Sequence, residues 1–483
     1  MKKATVFEQR RTGILLHITS LPSGTLGNDA YRFIDFLADC NVSVWQMLPL
    51  GPTHSDGSPY QCLSSHAGNQ ELICPQSLAA EYWAENLAVD LAAPITEVIS
   101  KAYYLFKTKA KRVDLDSFDA FCKQHQHWLE DYVLFRQIRH IHDSKAWFDW
   151  PVELRQRHPD AIEKLQHEYS EALSIKRFKQ YIFFRQWEKL RAYANQKGIN
   201  LFGDIPIFVA HDSADVWAEP DLFTLDDNGY STRVAGVPPD YFSETGQRWG
   251  NPLFEWPQHI ENDFDWWKRR LETQLALFDL VRIDHFRGFE ACWEIPASCD
   301  TAIEGRWKTA PGEQLFDSMA AHFTELPLVA EDLGIITEEV TALREKYGMP
   351  GMKILQFAFG GDASNPYLPH HQNIDSVTYT GTHDNNTTLG WYQELDERTK
   401  EHVKQYYGET GEGMPWLFIR SALRSVSQLA IIPLQDVLEL DGQHRMNVPG
   451  TTEGNWQWKF DWSMFKAEYT SRIRQLNQLY DRH

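Results

Sequence analysis

Apolar positions along the chain change their period several times, and each change marks an element. Thr12–Ile18 is a short continuous apolar run of the buried-strand kind. Asp29–Asn41 places apolar residues at 31, 33, 34, 37 and 38, one face of a helix, and Val42–Leu50 is a second apolar run. Strand, helix and strand at this spacing predict a βαβ unit, hence parallel strands joined by a right-handed crossover. From about Pro75 to Gly198 strand signals almost vanish and long helical periods replace them. One predicted helix carries Phe118, Phe121, Trp128, Leu129, Tyr132 and Phe135 along a single face. With no low-complexity flank and no internal repeat, 75–198 reads as a helical insertion, not a linker.

The α/β rhythm resumes at Asn200–Val209. Residues 210–262, dense in Pro, Gly and Trp, read as a loop-rich insertion. Apolar runs follow at Phe278–Ile283, Leu328–Ala330, Met352–Ala358, Val377–Thr380 and Leu429–Leu434. Between them sit helices such as Thr337–Tyr347, with a Thr at the cap position, Glu338 and Glu339 in its first turn, and Gly348 and Pro350 beyond its end. Eight candidate strands, most followed by a helix, predict an α/β chain. Residues 1–483 are expected to form one (β/α)8 TIM barrel with large insertions, one of them a mainly helical subdomain. An open doubly wound sheet is the alternative, but no GxGxxG or GxxxxGK follows any strand.

Composition narrows the partners. Lys and Arg number 47 against 67 Asp and Glu, a formal charge of −20, which argues against nucleic acid or an anionic membrane as a partner. No apolar run approaches the ~20 residues of a membrane span. The N-terminus MKKATVFEQRRTG has no apolar core of a signal peptide. Six scattered Cys without a CxxC pair suit a reducing compartment, so a cytoplasmic protein is expected, of open oligomeric state. The 18 Trp, 19 Tyr and 27 Phe fit either a well-filled core or flat faces for sugar rings.

Four apolar runs end in a carboxylate: Asp204, Asp284, Glu331 and Asp384. Any one alone reads as a helix cap or turn former. At the C-terminal ends of barrel strands, however, all four converge on one mouth. Arg282, His285 and His383 flank three of them. No paired histidines stand at metal-ligand spacing, and HQH (125–127) and HIH (140–142) read as solvated positions on the helical insertion. Convergent acids then suit glycoside cleavage, which needs one carboxylate nucleophile and one protonated acid. Arg282, two positions from Asp284, shares its side of the strand and keeps it ionised, while burial raises Glu331 so that it holds a proton. FGGD (359–362) reads as a turn with Asp362 near the cleft. Cys292 and Cys299 read as structural, and Trp456 and Trp458 as C-terminal packing.

RIDHFRGF (282–289), AEDLG (330–334) and GTHDN (381–385) resemble the barrel motifs of the 4-α-glucanotransferases, the amylomaltase or disproportionating-enzyme family (glycoside hydrolase family 77). RTGILLHITSLPS (11–23), SPYQ (58–61), GDIPIFVAHDSADVW (203–217), GVPPDYFSETGQRWGNPL (236–253) and NVPGTTEGNW (447–456) extend the resemblance over essentially the whole chain, with 75–198 unmatched. The resemblance implies Asp284 as nucleophile and Glu331 as general acid and then base. It implies Asp384 and His383 on the hydroxyls of the transferred sugar, Arg282 orienting Asp284, Asp204 touching that sugar and Tyr60 stacking on it. Asp240 and Trp249 are implied on a loop over the acceptor side, a lid against water. The position that usually ends in Asn-His in the wider α-amylase-like group reads DIPIFV here, which fits the transferase branch and leaves no evident calcium site. The implied activity is retaining transfer of an α-1,4-glucan segment to the 4-hydroxyl of another glucan or of glucose. The implied partners are maltooligosaccharides and α-1,4-glucans, with no metal and no organic cofactor. A retaining α-glucan hydrolase is the rival reading; a non-catalytic glucan-binding protein fits the three acids poorly.

Overall fold

The structure, a computed structural model, describes residues 4–90, 93–239 and 243–482. Among the described residues the strands are β1 (Arg11–Leu15), β2 (Val44–Gln46), β3 (Asn200–Pro206), β4 (Arg233–Val237), β5 (Gln247–Pro252), β6 (Leu280–Asp284), β7 (Ala291–Pro296), β8 (Arg306–Thr309), β9 (Leu328–Ala330), β10 (Gly351–Ile354), β11 (Ser376–Tyr379) and β12 (Leu429–Pro433). Eight of them form one parallel sheet in the order β10-β11-β12-β1-β2-β3-β6-β9. Its two ends meet: Ala330 N donates to Pro350 O at 2.9 Å, and Met352 N donates to the Asp332 carboxylate at 2.7 Å. The eight runs read from the sequence are these eight strands, and they close a (β/α)8 barrel.

Alternation along each strand builds two apolar layers. Leu15, Phe202, Leu280, Val329, Ile354, Tyr379 and Ile431 belong to one buried cluster, which fills the barrel. Their chain neighbours Ile14, Leu201, Val281, Ala330 and Ile432 belong to another, between strands and helices. Gly13 sits where strands crowd: a Cβ there would meet Ile431 Cδ1 at 2.4 Å and Val44 Cβ at 3.0 Å. Two residues beyond the inward Leu280 comes Arg282, then Asp284; two beyond Phe202 comes Asp204; two beyond Val329 comes Glu331. The parity that fills the barrel with hydrocarbon thus delivers charge at its upper rim.

Between β2 and β3 run the helices Ile95–Lys109, Arg112–Gln124, Gln126–Ile141, Pro159–Glu168 and Ser170–Gln196. The aromatic face expected on one helix is split over two, broken at His125, and both halves pack on Ser170–Gln196: Phe118 lies 6.0 Å from Phe178, Phe121 5.5 Å from Phe184 and Trp128 6.0 Å from Phe184. A straight helix would carry one half away from the long helix; the break keeps both in contact. Gln180 of the long helix donates to Gly68 O and accepts from Gly68 N, and Gln186 makes the same two bonds to Cys74. These pairs satisfy main-chain groups that no strand reaches.

Residues 210–262 are more ordered than their loop-like composition suggests. β4 and β5 pair antiparallel, and with β7 and β8 they make a second sheet in the order β5-β4-β7-β8.

Candidate active site

Arg282 holds the centre of the rim. Its Nη1 donates to both oxygens of Asp204, at 2.8 and 2.7 Å, and its Nη2 to Asp284 Oδ1 at 2.8 Å. Asp204 and Arg282 are register partners on neighbouring parallel strands, so the bridge spans two strands. Asp204 is fully buried, Arg282 nearly so, and Asp284 keeps 32% of its side chain accessible. The guanidinium therefore shows one anchored acid to the core and one open acid to the cleft. Burial alone would lower the Arg282 pKa, but the two carboxylates reverse this and push it well above its usual value.

Glu331 faces this pair from the end of β9. Its Oε2 accepts from His285 N at 2.6 Å and its Oε1 from Leu333 N at 3.1 Å. His285 aims its N–H there by adopting φ +54°, a left-handed conformation rare outside glycine. Burial first, and then the charge of Asp284, push the Glu331 carboxyl up to about 8, against the pull of Arg282 and of the two backbone donors. Asp384 is tuned the other way. Burial works against its charge, yet His383, with Nε2 3.3 Å from its Oδ1, and the Asn447 amide at 2.7 Å outweigh that and hold it at about 2. One acid keeps its proton at neutral pH while another sheds it, through environment alone.

Aromatic walls complete the cleft. Tyr60 donates from its hydroxyl to Asp204 Oδ2 at 2.8 Å and stacks on the His383 ring, with centroids 5.2 Å apart and planes at 18°. Trp249, on β5, meets His285 edge to face at 4.8 Å. Tyr60, Trp249, Arg282, Asp284, Glu331 and Asp384 all line one cleft of about 580 Å³, which suits a small chain of sugar rings. Asp204 stands behind it and His383 at its edge. Asp240, with Tyr241 and Phe242, lies outside the described residues. Asp362 is exposed and bonds Ser364, away from the cleft. Among the described residues no group of three or more His, Cys, Asp or Glu could hold a metal ion, and no helix is long and apolar enough to cross a membrane.

Sequence reasoning missed several participants. Asn447 donates to Asp384 Oδ1 and Arg445 to its main-chain oxygen, at 2.7 and 3.1 Å. They stand some sixty residues from Asp384 in the chain, and no local pattern ties them to it; membership of the NVPGTTEGNW segment was the available signal for Asn447. Trp456 is more than C-terminal packing: at φ +65° its ring stands 6.0 Å from both Tyr60 and His383. Of the two histidine triplets, His127 and His140 are exposed as expected, but His125 is half-buried among Phe121, Trp128 and Phe184, and burial brings it down to about 4.

A closed (β/α)8 barrel with a raised acid facing an arginine-paired carboxylate at its C-terminal mouth defines a class, the barrel enzymes that break and remake glycosidic bonds. Known proteins narrow it. A family model described as 4-alpha-glucanotransferase matches residues 16–464, and the chain belongs to that family. It is 46% identical to a 4-alpha-glucanotransferase of Thermus thermophilus over 98% of this chain and 99% of that one. It is 44% identical to a Synechocystis 4-alpha-glucanotransferase over 99% of each. Among solved structures, an amylomaltase from Streptococcus agalactiae in complex with acarbose superposes with a TM-score of 0.93 at 35% identity, over 98% of this chain and all of the other.

Proposed function

We propose that this enzyme transfers segments of α-1,4-glucans to the 4-hydroxyl of an acceptor glucan or of glucose, with retention, by double displacement. The observation that carries the reading is the pairing of Asp284, open to the cleft and held by Arg282, with Glu331, raised to about 8 in the same cleft. Asp284 attacks the anomeric carbon while Glu331 gives its proton to the departing glycosidic oxygen. Once Asp284 is esterified its negative charge is gone, and with it the second-largest influence that raised Glu331. The pKa of Glu331 falls with it, so the carboxylate left by the first proton transfer stays ionised and is available to take the proton of the incoming 4-hydroxyl. Asp384, charged and braced by His383 and Asn447, receives hydroxyls of the transferred sugar, and Tyr60 offers its ring to the same sugar. His285, whose ring nitrogens have no partner among the described residues, faces the cleft with room for a further hydroxyl.

Transfer demands that a sugar reach the ester before water does. The β4–β5 hairpin, with Trp249 on the cleft wall, serves as the cover on the acceptor side, and the surrounding apolar rings keep that side dry. Six unpaired cysteines suit a reducing, cytoplasmic setting.

Maltotriose incubated alone tests the reading. Glucose together with maltopentaose and longer chains, at constant reducing ends, is the expected outcome; rising reducing ends with nothing longer than the starting sugar would make the chain a hydrolase. Asp284→Asn should abolish turnover yet keep oligosaccharide binding, measured by calorimetry with maltoheptaose. Retained activity in that variant would mean that another group is the nucleophile.

A further inference from the structure

A second cavity of about 580 Å³ opens among the insertion helices, and none of its lining residues lines the catalytic cleft. Arg136, from Gln126–Ile141, and Lys176 and Lys179, from Ser170–Gln196, converge on it, all three half-buried. Among the described residues none of the three makes an ion pair with a carboxylate. The exposed Glu71 is the acid whose charge reaches Lys179, without pairing with it. This is unusual in a chain with 67 acidic against 47 basic residues. It is also local, since the same long helix pairs Arg177 with Glu130 and Arg185 with Glu81. Lys176 spends one donor on Gln137 Oε1, at 2.6 Å, and keeps the others free. Burial, and next the neighbouring cations, bring both amines down to about 8, so an anion placed among them would relieve desolvation and repulsion together.

Apart from His140, the rest of the lining is uncharged, with polar side chains mixed among the apolar Ile141, Ala172 and Ile175. Thr96 and Ser100, from the helix Ile95–Lys109, face in beside Tyr132. The volume exceeds what one inorganic anion fills, and hydroxyls with an aromatic ring are the partners a sugar uses. We propose that this cavity binds a small phosphorylated sugar, its phosphate dianion among Arg136, Lys176 and Lys179 and its ring toward Thr96, Ser100 and Tyr132. Two lysines and an arginine match a phosphate monoester as point charges and as a planar fork.

Calorimetric titration of the full chain with glucose 6-phosphate, inorganic phosphate and glucose tests it. Saturable 1:1 binding of glucose 6-phosphate, tighter than either fragment and weakened by salt, is expected. The double variant K176Q/K179Q should lose about tenfold or more in affinity, as charge-assisted hydrogen bonds go. Its maltotriose transfer should be unchanged, which checks the fold; R136Q alone should weaken binding in the same direction. No saturable binding, or binding indifferent to these substitutions, overturns the site. Inorganic phosphate binding as tightly as the ester overturns the sugar, and glucose binding as tightly overturns the anion.

Discussion

Glu331 is where one residue's surroundings set a measurable property of the whole enzyme. In the proposed first displacement Glu331 gives up a proton, and its environment raises that proton's pKa to about 8. We therefore expect kcat/KM for maltotriose to fall to about half near pH 8 and then about tenfold per pH unit above it, as one required proton is lost. Stability follows the same group. Between its ordinary value of 4.5 and about 8 the folded chain keeps a proton that the unfolded chain has released, so Glu331 makes the fold less stable as pH rises through that window. Glu331→Gln should slow maltotriose turnover about 10²–10⁴-fold. It should largely spare the release of fluoride from α-glucosyl fluoride, a leaving group that needs no acid, in a pre-steady-state burst. Equal losses on both substrates would remove Glu331 from the acid role. At this scale much was legible: an acid closing an apolar run, and an arginine two positions before it, are visible in the chain. The tuning of Asp384 was not, because the Asn447 amide reaches it across sixty-odd residues of intervening chain.

Elements that the hydrophobic period reveals are those with one buried face, and this explains which were legible. The barrel strands are buried along most of their length, β12 on all five residues and β6 on all but its last, and they stand out as apolar runs. β5 and β8 have no such face: Gln247 and Arg248 of β5 are exposed, so 210–262 looked like loop, and of β8 only Lys308 is partly covered. The break at His125 was equally silent, since a face shared by two helices has the period of one. The contact between the long insertion helix and the barrel makes its own prediction. A Cβ on Gly68 would lie 2.0 Å from the Phe183 ring, beside the two Gln180 bonds to the same residue. Gly68→Ala should therefore push the helix off its seat at a cost of about 1–3 kcal/mol, read as a lower urea midpoint of the first unfolding transition. An unchanged midpoint would mean that the helix docks without this contact.

Across the whole molecule, charge and chemistry separate. A net charge of −20 surrounds a cleft whose proposed substrate is neutral, so its field has nothing to steer. Maltotriose kcat/KM should vary by less than about twofold between low and high salt, since screening acts on charged pairs. A strong salt dependence would imply that a surface ion pair gates the cleft. The barrel itself was the most legible feature, because eight buried strands at βα spacing admit few other closed arrangements. Its covering layers were less so, since the helical insertion carries no motif tying it to a place on the barrel.

Closure of the barrel has a consequence for synthesis. β1 is hydrogen-bonded on one side to β2, its near neighbour in the chain, and on the other to β12, with Arg11 opposite Leu429. A ribosome adding roughly 5–20 residues per second leaves that second edge bare for tens of seconds. Throughout that interval the nascent chain displays an unpaired strand edge and an open apolar interior, the surface that chaperones hold and that neighbouring nascent chains can mispair with. The demand this enzyme places on the cell is thus set less by the stability of the finished barrel than by how long its first strand must wait for its last.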